Sequence, residues 1–227
     1  MNRWLKLKGI LLDFDGLILD TETAVYQAWQ ELYRSWGEQL KFEDWIKLVG
    51  KSNLELNPMD FLEEAVGPEF DREHARAEVA AREMELIEVR DPLPGVLALI
   101  ETARQAGLLL GVASSSTRDW VLTHLTRLGL LDHFAAVSCS DDVPRAKPDP
   151  ALYRLSLKKL GLQVEEAVVF EDSPSGVLAA KRAGLYCVAV PNEITSRMTF
   201  HDNGGGPDLV LDSLEEFPLE KITRLRS

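Results

Sequence analysis

Two patterns of hydrophobic and polar positions divide this chain. Between about residues 20 and 90 the apolar residues recur at helical spacing, for example at Ala24, Ala28 and Leu32, and no apolar run predicts a strand. Four helices are predicted there, over residues 23–35, 45–49, 59–66 and 73–89. A long helical block therefore follows the first predicted strand and its turn, residues 9–19.

Outside that block, short apolar runs alternate with helical segments that end at glycine. Strands are predicted within residues 9–19 and at residues 108–113, 135–139, 167–170 and 186–190, with a candidate edge strand at 209–211. Helices are predicted between them, at residues 96–105, 119–128, 150–160 and 175–183. Such alternation is typical of a parallel sheet with right-handed crossovers and helices on both faces. We therefore predict an α/β fold with an inserted helical block.

The first strand ends in two acidic residues. Gly9–Leu12 is typical of a buried strand of a parallel sheet, and Asp13, Phe14, Asp15 and Gly16 follow it. Ligands of open α/β sheets bind beyond the carboxyl ends of the strands. Alternation along the chain directs both carboxylates to one face, where they repel each other unless a cation or a shared proton compensates. The pair indicates a divalent metal or an acid that carries a proton; an ordinary surface turn is the alternative.

Three further polar clusters follow later strands of the predicted sheet. Ser114–Thr117 open a helix, Lys147 precedes another helix, and Glu171–Asp172 follow the strand at 167–170. Taken singly, they are typical of a helix N-cap, a solvated lysine and acids at a helix N-terminus. Taken together at one sheet edge, they supply oxygen ligands, a nucleophile, phosphate donors and a positive charge. Magnesium-dependent phosphoryl transfer requires that set.

Composition and charge narrow the function by exclusion. The chain has 227 residues, of which 45% are hydrophobic, and a formal charge of −12. An acidic protein is poorly suited to sequence-independent binding of nucleic acid or of anionic membrane surfaces. No apolar stretch approaches the roughly 18 residues of a membrane span, and the N-terminus lacks the apolar core of a signal peptide. With Cys139 and Cys187 alone in apolar contexts, we expect a cytoplasmic protein without nucleic-acid or membrane partners.

The four clusters, in this order, resemble the motifs of the haloacid dehalogenase superfamily, in the branch of the β-phosphoglucomutases and many small sugar-phosphate phosphatases. The motifs are Asp13–Glu22, Ala113–Ser116, Lys147-Pro148 and Phe170–Ser173, and the resemblance covers nearly the whole chain. It implies a Rossmann-like catalytic core over residues 1–19 and 91–227, with a parallel sheet of strand order 5-4-1-2-3. It also implies an α-helical cap domain over residues 20–90.

The resemblance further implies a mechanism. Asp13 resembles the nucleophile that attacks phosphorus and becomes an aspartyl phosphate. Asp15 resembles the general acid that protonates the leaving oxygen and later activates water. Mg²⁺ is the implied cofactor, with ligands from Asp13, the backbone carbonyl of Asp15 and Asp172, and with Glu171 supporting it directly or through water. The dehalogenases that attack carbon lack the second acid, so Asp15 favours phosphate chemistry.

Other residues resemble contacts to the substrate. Ser114 and the backbone N–H of Ser115 resemble the phosphate-binding motif, and Lys147 resembles the lysine that orders the nucleophile and the transferring group. Thr21 lies where the hinge of the cap is expected, a gating position in many lids. Lys51 lies in a segment that resembles the substrate-specificity loop of the cap, although a helix N-cap is an alternative of nearly equal weight.

The resemblance leaves two reactions open. A phosphatase hydrolyses the aspartyl phosphate, whereas a mutase returns the phosphate to a sugar. The mutases carry a histidine on the entry helix of the cap, and the matching position here is Val25; their cap lysine has no clear match, although Arg82 is nearby. We therefore favour a phosphatase of a small phosphorylated metabolite, with a β-phosphoglucomutase-type mutase as the alternative. A monomer is expected, because a closing cap needs no second subunit.

Two other protein classes fit the sequence less well. A signalling receiver domain also places acids, a hydroxyl and a lysine on a parallel sheet, but this chain is far longer and carries the helical insertion. A catalytically silent binding module would keep the fold, but every expected catalytic position is filled.

Overall fold

The computed structural model describes residues 7–48, 57–200 and 205–217. The chain divides into two compact units. One comprises Met1–Leu19 and Asp91–Ser227, and the other comprises Asp20–Arg90. We refer to them as the α/β unit and the helical unit.

The α/β unit is built on one parallel sheet of six strands, which confirms the predicted fold class. The strands run in the spatial order β3-β2-β1-β4-β5-β6. Their bounds are β1 Gly9–Leu12, β2 Leu109–Ala113, β3 Ala136–Ser138, β4 Ala167–Glu171, β5 Tyr186–Ala189 and β6 Leu209–Val210. The first five keep the predicted order 5-4-1-2-3, and the sheet differs in having β6 as a sixth strand beside β5.

Four helices flank this sheet: α5 Val96–Gln105, α6 Arg118–Arg127, α7 Ala151–Leu160 and α8 Pro174–Arg182. One face packs against α7 and α8 through a cluster that includes Leu11, Val169, Tyr153 and Val177. Every residue of β1 is buried, because β2 and β4 flank it on either side and helices flank the sheet. Burial on both faces explains why this strand is a continuous apolar run rather than an alternating one.

The register of the central strands determines which residues meet at the functional edge of the sheet. Leu12 of β1 lies beside Val112 of β2 and beside Phe170 of β4. Parallel strands in this register end together, so the residues that follow them leave the sheet at the same edge. Asp13, Ser114 and Glu171 therefore start from neighbouring points of the backbone.

The helical unit contains α1 Thr21–Ser35, α2 Phe42–Leu48, α3 Pro58–Val66 and α4 Arg72–Glu88. α1 packs against α4. α1 begins two residues earlier than predicted, because the side chain of Asp20 caps it by accepting a hydrogen bond from the backbone N–H of Thr23 (3.0 Å). No helix among the described residues is both long enough and apolar enough to span a membrane.

Candidate active site

The turn after β1 carries both acidic residues of the first motif. The backbone N–H of Asp13 continues the sheet by donating to the carbonyl of Phe170 (3.1 Å). The chain then reverses at Gly16, whose φ of 77° lies in the left-handed region. A Cβ at this position would lie 2.9 Å from Cγ of Asp172 and 2.6 Å from Nδ2 of Asn192. Glycine is required here for its backbone conformation and because the Asp172 carboxylate packs directly against it.

Lys147 joins two of the buried acids. Its Nζ lies 2.7 Å from Oδ1 of Asp13 and 2.7 Å from Oε1 of Glu171, and all three residues are buried. Burial raises the pKa of Asp13 to about 7; the negative charge of Glu171 adds to this rise, and Lys147 opposes it. Burial lowers the pKa of the Lys147 ammonium, but the two carboxylates outweigh burial and raise this pKa above its ordinary value. Lys147 is therefore a charged partner of both acids.

A tyrosine that sequence reasoning missed also contacts the Glu171 oxygen that Lys147 binds. The hydroxyl of Tyr153, on α7, donates to Oε1 of Glu171, and the Lys147 ammonium lies 5.4 Å from the centre of the Tyr153 ring. The Glu171 carboxylate also packs directly against Gly176, at a position where any Cβ would overlap it. Its second oxygen, Oε2, is buried and has no hydrogen-bond partner among the described residues.

Asp172 is oriented by a second residue that sequence reasoning missed. Nδ2 of Asn192 donates to Oδ2 of Asp172 (2.8 Å) and to the backbone carbonyl of Gly16 (3.2 Å). The other end of the amide is locked, because its oxygen accepts from the backbone N–H groups of Ile194 (2.9 Å) and Thr195 (3.0 Å). Because two backbone N–H groups donate to it, the amide oxygen Oδ1 faces the loop. The amide nitrogen Nδ2 therefore faces the carboxylate of Asp172.

The three acids form a cluster that fits a divalent cation. One oxygen from each of Asp13, Glu171 and Asp172 lies within 4.8 Å of the others, and all three residues are buried. Like charges at such distances repel strongly unless a cation compensates. Among the described residues Lys147 pairs with only two of the three acids, and the unpartnered Oε2 of Glu171 offers a free ligand atom. An all-oxygen donor set is what Mg²⁺ prefers.

The carboxylate of Asp15 has a separate set of partners. Its Oδ2 accepts from the hydroxyls of Ser114 (3.2 Å) and Ser116 (2.7 Å). Its Oδ1 accepts from the indole Nε1–H of Trp120, on α6 (2.9 Å). The backbone N–H of Ser116 in turn donates to Oγ of Ser114 (2.9 Å), which orders the loop after β2. Asp13 and Asp15 thus face different neighbours, although they are two residues apart.

The structure brings most of the predicted site residues to this one edge of the sheet. They are Asp13, Asp15, Ser114, Lys147, Glu171 and Asp172. Ser115 is also in the loop after β2, but it is exposed, and the hydroxyls that donate to Asp15 belong to its neighbours Ser114 and Ser116. Thr21 is buried at the start of α1 in the helical unit. Lys51 lies outside the described residues.

Three residues of the site escaped sequence reasoning: Trp120, Tyr153 and Asn192. Ser116 belongs to the predicted hydroxyl cluster, but sequence reasoning gave it no role of its own. Ser116 and Trp120 lie near the start of a helix that follows a predicted strand, and Tyr153 lies one turn into the helix after the lysine motif. Their positions at the functional edge are therefore readable from the strand order. Asn192 follows the fifth strand in a loop that sequence reasoning did not connect with the acids.

The arrangement combines two chemical capacities. The cluster of Asp13, Glu171 and Asp172 offers a cation site next to a buried carboxylate that Lys147 orients. Beside it, Asp15 accepts from one indole and two hydroxyls, and the hydroxyls can also donate to an anion. Transfer of a phosphoryl group needs a carboxylate nucleophile, a second acid nearby and hydrogen-bond donors for the phosphate.

Comparison with known proteins places the chain among hydrolases. A family model described as haloacid dehalogenase-like hydrolase matches residues 10–190. The chain is 41% identical over 216 residues to the Bacillus subtilis protein named "Putative phosphatase YhcW", an alignment that covers 94% of each chain. It is 35% identical over 121 residues to hexitol phosphatase B of Escherichia coli strain K12, covering 53% of this chain and 54% of that protein.

A solved structure has the same fold. The crystal structure of a mutant of CbbY from Rhodobacter sphaeroides, in complex with xylulose-(1,5)bisphosphate, superposes with a TM-score of 0.71 and 26% sequence identity. The match covers 93% of this chain and 96% of that chain. The similarity therefore extends across the residues of both units.

Proposed function

Because this chain belongs to the haloacid dehalogenase-like hydrolase family and is a phosphatase of that family, we propose that it releases phosphate from a small phosphorylated sugar or polyol. The reaction proceeds through an aspartyl phosphate on Asp13. The observation that carries this proposal is the buried Asp13 carboxylate, held by Lys147 at 2.7 Å within the three-acid cluster.

The first half of the reaction transfers the phosphoryl group to the protein. A carboxylate oxygen of Asp13 attacks phosphorus as the bond from phosphorus to the ester oxygen breaks, and Asp15 gives its proton to the departing alkoxide. Lys147 keeps Asp13 oriented and adds positive charge near the transferring group. Ser114, at the buried end of β2, supplies a hydroxyl to a phosphate oxygen.

The second half returns the protein to its starting state. Asp15, now a carboxylate, takes a proton from water as the water oxygen attacks phosphorus. The bond between phosphorus and the Asp13 oxygen breaks, and inorganic phosphate leaves. The three donors around Asp15 suit this half-reaction, because hydrogen bonds to a carboxylate favour its charged form.

The residues that would hold a magnesium ion are Asp13, Glu171 and Asp172, together with the backbone carbonyl of Asp15. When bound, Mg²⁺ supplies positive charge that offsets the repulsion between the nucleophilic carboxylate and the phosphate. The buried all-oxygen donor set and the unpartnered Oε2 of Glu171 support this assignment.

The substrate class rests on the relatives. Hexitol phosphatase B is named for a phosphorylated polyol, and CbbY was crystallised with a sugar bisphosphate. We therefore assign this chain a phosphorylated sugar or polyol. The helical unit, Asp20–Arg90, takes the role of a cap with Thr21 at its entry and Lys51 in its specificity loop.

The test is phosphate release with Mg²⁺ across sugar, polyol and nucleotide monophosphates. We expect release from one or a few sugar or polyol esters, and an acid-quenched single turnover should show phosphorylation of Asp13 by mass spectrometry. Asp13→Asn should abolish turnover and keep the native circular dichroism spectrum, whereas Asp132→Asn, at an exposed position, should change neither. Turnover that survives in Asp13→Asn would contradict the nucleophile assignment, and glucose 6-phosphate formed from β-glucose 1-phosphate without net phosphate release would indicate a mutase.

A further inference from the structure

We propose that Trp120 is a positioning residue for Asp15, and that its indole N–H keeps this carboxyl group in place when substrate binds. The inference rests on the proposed function, in which Asp15 is the acid that protonates the leaving group. The observation behind it is the hydrogen bond from Nε1 of Trp120 to Oδ1 of Asp15, at 2.9 Å. Trp120 therefore touches the acid and acts through it.

The indole is held firmly in its orientation. α6 begins at Arg118, and Thr117 caps it with a hydroxyl that accepts from the backbone N–H of Trp120 (3.4 Å). The Trp120 ring packs edge-to-face on His124, one turn further along α6, with 4.4 Å between ring centres. His124 in turn stacks on Phe14, which lies between the two acids of the first motif, at 6.3 Å. The donor is thus fixed by packing between α6 and the turn after β1.

The three donors to Asp15 differ in what they can do when a phosphate arrives. A serine hydroxyl has one hydrogen, so Ser114 or Ser116 cannot donate fully to Asp15 and to a phosphate oxygen at once. Both hydroxyls bond the same oxygen, Oδ2 of Asp15. When they rotate to serve the phosphate, that oxygen gives up these two hydrogen bonds and can carry the proton. The indole N–H bonds the other oxygen and cannot rotate away.

Trp120 therefore keeps its hydrogen bond to Asp15, whereas the two serines exchange theirs for hydrogen bonds to the phosphate. Substrate binding frees one carboxyl oxygen for proton transfer, and the indole keeps the group from drifting. General acid catalysis depends on hydrogen-bond reach to the reacting oxygen, so a drifting carboxyl group would slow the proton-transfer step. Attack by Asp13 and binding of the phosphate would be left intact.

A slower proton transfer from Asp15 can be detected by comparing esters with different leaving groups. An alkoxide from a sugar or polyol phosphate is a poor leaving group and needs the proton from Asp15. The anion released from p-nitrophenyl phosphate is a good leaving group and departs without one. Loss of the indole N–H should therefore slow transfer of the phosphoryl group to Asp13 from the first kind of ester and spare the transfer from the second. The later hydrolysis of the aspartyl phosphate, in which Asp15 activates water, is the same for both esters.

The test compares Trp120→Phe with the wild-type protein on sorbitol 6-phosphate, or the best sugar or polyol ester found for the wild type, and on p-nitrophenyl phosphate. We expect the single-turnover rate of Asp13 phosphorylation by the alkyl ester, measured by acid quench, to fall by about tenfold to a hundredfold, a part of the roughly 10²–10⁴-fold that a general acid contributes. The same rate for p-nitrophenyl phosphate should stay within about twofold. Asp15→Asn provides the reference, with the same selectivity in stronger form.

Equal losses of the phosphorylation rate on both esters, or no loss on either, would overturn the inference. A general loosening of the loop after β2 would instead raise KM for both esters, because Ser114 would bind phosphate less well. If Trp120→Phe does not fold, β-(3-benzothienyl)alanine at position 120 decides the matter, since it keeps the shape of the indole and lacks the N–H. A wild-type protein that releases no phosphate from any ester would contradict the proposed function itself, which is a separate outcome.

Discussion

Replacing Gly16 with alanine tests how closely the acids are packed. Gly16 has a φ of 77°, and an added Cβ would lie 2.9 Å from Cγ of Asp172 and 2.6 Å from Nδ2 of Asn192. The methyl group must therefore displace the carboxylate, the amide or both. Asp172 is buried, and the amide of Asn192 is locked to its own loop, so neither side chain has an easy alternative position.

The expected cost has two parts. Alanine in the left-handed region costs roughly 1–2 kcal/mol. Separating Asn192 from the charged carboxylate of Asp172 costs about 1.5–3 kcal/mol more, since hydrogen bonds to charged groups are the stronger ones. We therefore expect Gly16→Ala to lower the free energy of unfolding by about 2.5–5 kcal/mol.

A matched control separates the two parts. Gly129 also lies in the α/β unit and has a φ of 69°, but nothing lies within 4 Å of the position its Cβ would take. Gly129→Ala should therefore cost only the conformational part, roughly 1–2 kcal/mol. The difference between the two variants isolates the contact with Asp172.

Two measurements check this prediction. Urea denaturation followed by circular dichroism gives the loss of stability of each variant, and electron paramagnetic resonance of free Mn²⁺ gives the affinity of the metal cluster. Gly16→Ala should lose more stability than Gly129→Ala and should bind Mn²⁺ more weakly, while Gly129→Ala binds it as the wild type does. Equal losses of stability together with unchanged Mn²⁺ affinity would refute the packing of Asp172 against this turn.

Three further predictions concern the same cluster. Lys147→Met should lower the free energy of unfolding in metal-free buffer by about 3–5 kcal/mol, because it leaves the buried carboxylates of Asp13 and Glu171 without their shared cation; an unchanged urea midpoint would argue against that pairing. Asn192→Ser should weaken Mn²⁺ binding by about 10–100-fold, because it removes the amide that orients Asp172, although the serine hydroxyl can still cap the loop. Glu193→Gln, at the exposed neighbouring position, should leave Mn²⁺ binding unchanged. Calcium should inhibit magnesium-dependent phosphate release, because its larger and looser shell suits in-line transfer poorly; activation by calcium would count against the assigned cation.

The helices and strands were predictable from the sequence because local patterns of apolar residues and glycines specify them. Helical spacing and helix-ending glycines located α1 to α8 to within a few residues, and apolar runs located the strands. The errors lie at the ends, as at α1, where the cap on Asp20 moves the start to Thr21. The order of the central strands followed from the family resemblance, whereas the short β6 stood only as a candidate strand until its pairing with β5 was seen.

The sequence by itself determined the fold class, the family and the edge of the sheet where the polar clusters gather. The reason is that hydrophobic periodicity sets the strands, and parallel strands deliver their following residues to one edge. Only the tertiary structure decided which side chain faces which. Asp15 meets Trp120 from 105 residues away, and Asp172 meets Asn192 across the end of β5. Such pairings depend on helix placement and on the close packing of side chains, which no local pattern along the chain encodes.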